Sequence, residues 1–199
     1  TLAAQPTVIS TPVVNITGFQ AWPGELEFGL TDLVTFTWQI DGPSNVLDYA
    51  LVETTTGQLV SVSPENWSTG RLELPAGMLV DSYGWGRHEY TLTVTGSDQV
   101  DRSSTTAVAI APTVCLVSKN AALASRPEAG SSTAPGGLPS SLQVAVGGRT
   151  SDGQWLQVWD ITEHLELGWV ETDQVTCPTD FEIEQIVVVE PTSLLTPTP

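Results

Sequence analysis

Threonine and large apolar residues take turns along two stretches of this chain, a period of two that suits a strand buried on one side and not a helix. In LVTFTWQIDG, Val34, Phe36, Trp38 and Ile40 fall on one face and Thr35, Thr37 and Gln39 on the other, because successive side chains of a strand point to opposite sides. In HEYTLTVTG, Tyr90, Leu92 and Val94 alternate in the same way with Thr91, Thr93 and Thr95. The period returns more weakly in AVAI, through Val108 and Ile110. Further strands are expected at 13–19, 49–53, 59–62 and 71–74, separated by turn formers such as DGPSN and TTTGQ. No long apolar run carries a helical period, so the fold class is all-β.

About seven short strands over roughly 100 residues is the count of a two-sheet sandwich. A chain of 199 residues leaves room for a second module. The expected division is an extended tail at 1–12 (TLAAQPTVISTP), a β-sandwich at 13–112 with Pro112 at the junction, a second β-module at 113–190, and a Thr/Pro-rich tail at 191–199 (PTSLLTPTP).

Charge narrows the partners. Twenty-three acidic residues against 6 basic ones give a net charge of -17, which repels phosphate backbones and anionic lipid headgroups. Nucleic acid is excluded as a partner on that ground. No apolar run is long enough to span a bilayer, so no membrane insertion is expected within this segment. The first residue is Thr, as in a processed or trimmed product. Cys115 and Cys177 stand at the two ends of the second module. In an extracellular setting they pair, and in a cytosol they stay as two buried thiols.

ITGFQAWPGELEFGLTDLVTFTWQIDG followed by GRHEYTLTVTGSDQVDRSSTTAVAI resembles bacterial extracellular immunoglobulin-like or fibronectin-type-III-like modules. The resemblance implies a corner role for Tyr90; no cysteines link the sheets, Leu92 stands where antibody domains carry the second one, and Trp38 fills that space instead. The span from Cys115 to Cys177 resembles the bacterial Src-homology-3-like domain. Leu123 and Pro127 match its first motif, Gly153, Trp155, Leu156 and Val158 its second, and Gly168, Trp169 and Val170 its third. Ala124, Ser125 and Arg126 depart from the first motif, which normally reads Arg-x-Gly there. That likeness implies a small barrel in which Leu156 and Val158 face the core and the SDGQ tetrad, 151–154, makes a hairpin turn. It also implies a groove for cell-wall peptide or glycan lined by Trp155, Trp159 and Trp169, although the three rings serve first as framework for a small core.

Chemistry-bearing constellations are not legible. His88 and His164 lack any nucleophile motif around them, and no metal or cofactor is expected. SDQVDRSS and SDGQ contain Asp without the ligand ladder of a calcium loop. Asn15 and Asn66 open glycosylation-type triplets and read as ordinary loop or edge residues. Trp85, between two glycines and near Tyr83, is a candidate contact for a sugar or partner, or else a ring folded back on the sandwich end. Val8, Ile9, Val13 and Val14 near one end, and Ile186, Val187, Val188 and Val189 near the other, are strand formers suited to pairing with a neighbour. The expected function is therefore non-catalytic: an extracellular structural or adhesive protein, a cell-surface or filament subunit that assembles through its tails by strand addition with copies of itself or other envelope proteins. A glycan- or peptidoglycan-binding module is the alternative.

Overall fold

The computed structural model describes residues 13–31, 33–124, 133–178 and 181–189. Val8 and Ile9, both tails, and Ser125, Arg126 and Pro127 of the barrel motif lie outside the described residues. The elements are β1 (Asn15–Trp22), β2 (Glu25–Phe28), β3 (Leu33–Asp41), β4 (Val46–Glu53), β5 (Gln58–Leu59), α1 (Pro64–Thr69), β6 (Arg71–Pro75), α2 (Ala76–Tyr83), β7 (Gly86–Gly96) and β8 (Asp101–Pro112). They continue as β9 (Val114–Val117), β10 (Ala121–Ala124), β11 (Thr133–Leu138), β12 (Gln143–Arg149), β13 (Trp155–Asp160), β14 (Glu166–Glu171) and β15 (Val175–Thr176). The protein is mostly β, as the alternating pattern requires.

Two compact units form, and neither is contiguous in sequence. The first gathers 13–22, Thr35–Glu73 and His88–Val108; the second gathers Pro23–Val34, Leu74–Arg87 and the described chain from Ala109 onward.

In the first unit β1, β3 and β6 make one sheet, while β8, β7, β4 and β5 lie side by side in another. Phe36 and Trp38 of β3 and Tyr90, Leu92 and Val94 of β7 are buried, with the intervening Thr side chains more exposed. Phe36 meets Tyr90 edge-on at 4.8 Å between ring centres, and Phe19 of β1 stacks on Phe36 at 6.4 Å. Between β5 and β6, Ser63 caps α1 by accepting from the Asn66 N–H, Pro64 opens the helix, and Gly70 closes it with a φ of 67°. Only glycine fits there, since a Cβ would stand 2.4 Å from the Trp38 carbonyl oxygen.

The second unit is built on a seven-stranded antiparallel sheet in the order β11-β10-β14-β13-β12-β9-β15. Its core joins Val117, Val144, Val146, Leu156, Val158, Val170 and Ile186 around Cys115. Cys115 and Cys177 are bonded to each other, 62 positions apart, beside the pairing of β15 with β9. The pairing of these cysteines is compatible with an extracellular location. Gly153, with a φ of 70°, turns the chain between β12 and β13, and Asp152 Oδ1 secures that turn by accepting from Thr150 Oγ1 and Gln154 N–H. β2 pairs in parallel with the end of β8, from Glu25 opposite Ala109 to Phe28 opposite Pro112. No helix among the described residues is long and apolar enough to cross a membrane.

Candidate functional site

The aromatic residues singled out in the sequence separate into framework and surface. Trp169 and Trp159 are buried, 3% and 4% exposed, whereas Trp155 and Trp85 are half-buried. Trp155 borders an open hollow of about 500 Å³ with Asp152, Glu171 and Asp173. Glu171 accepts from Gln174 Nε2 and Asp173 pairs with Lys119 Nζ at 3.1 Å, so both carboxylates have neighbours in the chain itself. Trp85 folds inward within the second unit: its Nε1 donates to the Ile161 carbonyl at 2.8 Å, and its ring meets Phe28 at 5.2 Å and His164 at 5.8 Å. Tyr83 ends α2 and is half-buried.

Phe28 is the hub of that cluster, edge-on to both Trp85 and Trp159, the latter at 5.1 Å. The hub is fixed by β2, whose Phe28 carbonyl receives a hydrogen bond from Thr113 Oγ1 at 2.8 Å. Trp159 sits next to a register shift in the β13–β14 pairing, and Gly77 of α2 faces its six-membered ring. A cavity of about 300 Å³ lies here, bordered by Phe28, Trp159, Met78 and the carboxylates Asp81 and Glu166. Burial, and then the Glu166 carboxylate, push the Asp81 carboxyl above its ordinary range.

The first unit carries a second aromatic group, which the sequence did not single out. Tyr49 of β4 stacks on Trp67 of α1 at 4.5 Å, and Trp67 leans on Trp38 at 5.2 Å. Gln39, Ser68 and Thr69 complete a shallow hollow of about 230 Å³ beside these rings. Trp22, at the end of β1, is 76% exposed.

No protein-family model matches the chain, and no curated protein does. Its function is read from its own side chains.

The two histidines have structural surroundings. His164 lies against Trp85, and buried His88 stands with its Nδ1 3.7 Å from Oε1 of Glu53, which is fully buried. Among the described residues no three His, Cys, Asp or Glu side chains group as metal ligands. Glu53 is an internal cap for the turn after β4: its Oε2 accepts from the Thr56 N–H and from Thr56 Oγ1, each at 2.7 Å. Burial opposes the charge of Glu53, and the hydrogen bonds from Thr56 and Thr55 outweigh it, holding the carboxyl below its ordinary range. A depressed folded-state value stabilises the protein above the unfolded pKa and ceases to do so as pH falls through the folded one. Glu53→Gln is therefore expected to cost about 2 kcal/mol at pH 7, the worth of a hydrogen bond to a charged group. The same variant flattens the loss of stability below about pH 4. Urea titrations at pH 7 and pH 3 check this, and equal pH dependence of variant and parent would refute it.

The predicted assembly strands have different settings. Val13 is exposed and Val14 buried, both just ahead of β1. Ile186 is buried, Val188 is exposed, and Val187 and Val189 make backbone hydrogen bonds inside the second unit.

Proposed function

We propose that the chain is a non-catalytic extracellular module of a cell-surface or filament protein, which assembles by strand addition with copies of itself or other envelope proteins. In this reading the first unit is an immunoglobulin-like sandwich, a view supported by its β1-β3-β6 and β8-β7-β4-β5 orders. The second is a Src-homology-3-like barrel closed by a disulfide.

The observation that carries the assembly reading is β1. It is an edge strand eight residues long, NITGFQAW, with no charged residue and no proline. Natural edges are normally blunted by charge or proline. The opposite edge of the same sheet, β6, is defended in that way by exposed Arg71 and Glu73 and by Pro75. On β1 the Ala21 N–H is taken by Thr106 Oγ1. Trp22 closes the strand as an exposed ring, the residue type enriched where proteins meet.

A second reading, binding of wall glycan, is favoured by the stacked Tyr49–Trp67 pair flanked by hydroxyl and amide groups. Light scattering separates the two. Wild-type protein is expected to assemble with rising concentration, and Thr17→Lys with Gln20→Lys, placing two charges on β1, sharply lowers the assembled mass. A wild-type chain that stays monomeric at every concentration overturns assembly; glycan binding lost in Trp67→Ala is then the outcome that selects the second reading.

A further inference from the structure

The strand formers Ile186, Val187, Val188 and Val189 lie in a groove of the second unit that fits them residue by residue. The Val187 N–H donates to the Gly29 carbonyl at 2.8 Å, the Arg149 N–H donates to the Val187 carbonyl at 2.9 Å, and the Val189 N–H donates to the Arg149 carbonyl at 2.9 Å. The Arg149 guanidinium adds hydrogen bonds to the carbonyls of Ile186 and Glu184. Ile186 is 2% exposed and belongs to the barrel core. Gly148 makes room for the segment, since a Cβ there would stand 2.5 Å from Val189 Cγ2. This short strap is a strand addition already carried out, with β12 as the acceptor through a parallel bridge of Arg149 to Val188.

The barrel is fastened upstream of the strap. Cys177 is bonded to Cys115, and β15 pairs with β9 before the strap begins. Departure of residues 186–189 therefore breaks no strand of the seven-stranded sheet. It leaves a hole the size of an Ile side chain and three unpaired backbone groups, on Gly29 and Arg149, which demand a replacement. The replacement that restores every one of these contacts is the same segment of another copy.

We infer that the groove between Gly29 and Arg149 accepts residues 186–189 of a second copy, so that neighbouring subunits exchange this strand. The inference rests on the assembly reading above and adds to the β1 edge a second contact, whose donor and acceptor both lie in the second unit. Contacts are identical within and between chains, and only the tether differs. A short tether holds its strand at an effective concentration of order 1 mM, so exchange prevails where copies are packed to that density.

Two single variants, Gly148→Cys and Val189→Cys, test this when purified separately with the native disulfide intact, mixed, and oxidised. Neither variant can form a 148-to-189 linkage within one chain. Mass spectrometry is expected to find that linkage between chains, at least about ten-fold above a Gly148→Cys and Glu182→Cys control, as total protein rises to about 1 mM. Its absence, with assembly still seen by light scattering, overturns the exchange and leaves the assembly reading standing; absence of any assembly overturns both. Since Gly148→Cys crowds Val189, a second arm mixes light and isotopically heavy copies that keep Gly148 and Val189. With the β1 edge silenced by Thr17→Lys and Gln20→Lys, native mass spectrometry of copies mixed at about 1 mM should show mixed dimers that vanish when both copies also carry Ile186→Asp, and their persistence in that variant overturns the exchange.

Discussion

Replacing both Cys115 and Cys177 by alanine is expected to lower the stability of the second unit by about 4 kcal/mol, the chain-entropy value for a closed loop of this length. The bond joins positions 62 residues apart, and the long excursion between them includes β10 to β14. In the unfolded chain that cross-link removes many open conformations, and its loss returns them. The folded side loses little, because Cys115 is already packed among Val117, Val144 and Ile186, and alanine keeps that site apolar. Serine in the same place adds the cost of a buried hydroxyl, so the serine pair should be less stable than the alanine pair. With a urea slope of about 1–2 kcal/mol per molar, the midpoint for the second unit should fall by roughly 2–4 M. Parent protein treated with a reductant should follow the alanine pair. A midpoint that stays within about 0.5 M of the parent would mean that the loop is already held closed by packing in the unfolded ensemble.

How much of this was legible in the sequence depends on how far apart the cooperating residues lie. β3 and β7 could be read directly, because alternation over a few neighbouring residues states which face is buried, and Phe36, Trp38, Tyr90 and Leu92 are buried on that face. α2 could not. Its buried residues Ala76, Leu79 and Val80 have helical spacing, yet eight residues hold too few turns for a period to stand out, and Pro75 just before it looks like a loop. Since Leu156 and Val158 face the core, strict alternation would put the ring of Trp159 on the outer face with Trp155 and Gln157. Two facts invisible in that stretch bury it: the register shift after Val158, and the arrival of Phe28 and Gly77 from distant parts of the chain. The strand tendency of Val187 and Val189 was plain, while their partners Gly29 and Arg149 were not, since strand propensity says nothing about which edge will be met. The exposure of Trp22 and the Tyr49–Trp67 stack are not legible in the sequence for the same reason: exposure and ring contact are set by residues brought together only on folding.

Phe28→Ala is expected to cost the second unit about 3–5 kcal/mol, the usual range for removing a fully buried phenyl ring. Phe28 is 2% exposed and touches two tryptophans from well-separated parts of the sequence, Trp85 after α2 and Trp159 on β13. Each edge-on aromatic pair contributes about 0.5–1.5 kcal/mol beyond the area it buries, so one truncation removes two such terms along with the hydrophobic one. The hole cannot easily collapse. The carbonyl of Phe28 is pinned by Thr113, the next residue Gly29 has a φ of 93° with the position of its absent Cβ 2.3 Å from the Val146 carbonyl oxygen, and Trp159 is wedged between Gly147 and Gly77. Such fixed walls place the cost toward the upper end of the range, because cavity volume that persists is what raises the penalty. Phe28→Leu, which keeps most of the volume and loses the ring, should cost about 1–2 kcal/mol. Urea unfolding followed by tryptophan fluorescence reads both changes at once, since the two rings that lose their partner are themselves the reporters. If Phe28→Ala costs less than about 1 kcal/mol, then Trp85 and Trp159 close over the vacancy by themselves. The phenyl ring would then be filling space between the two tryptophans rather than holding β2 and the segment after α2 in place.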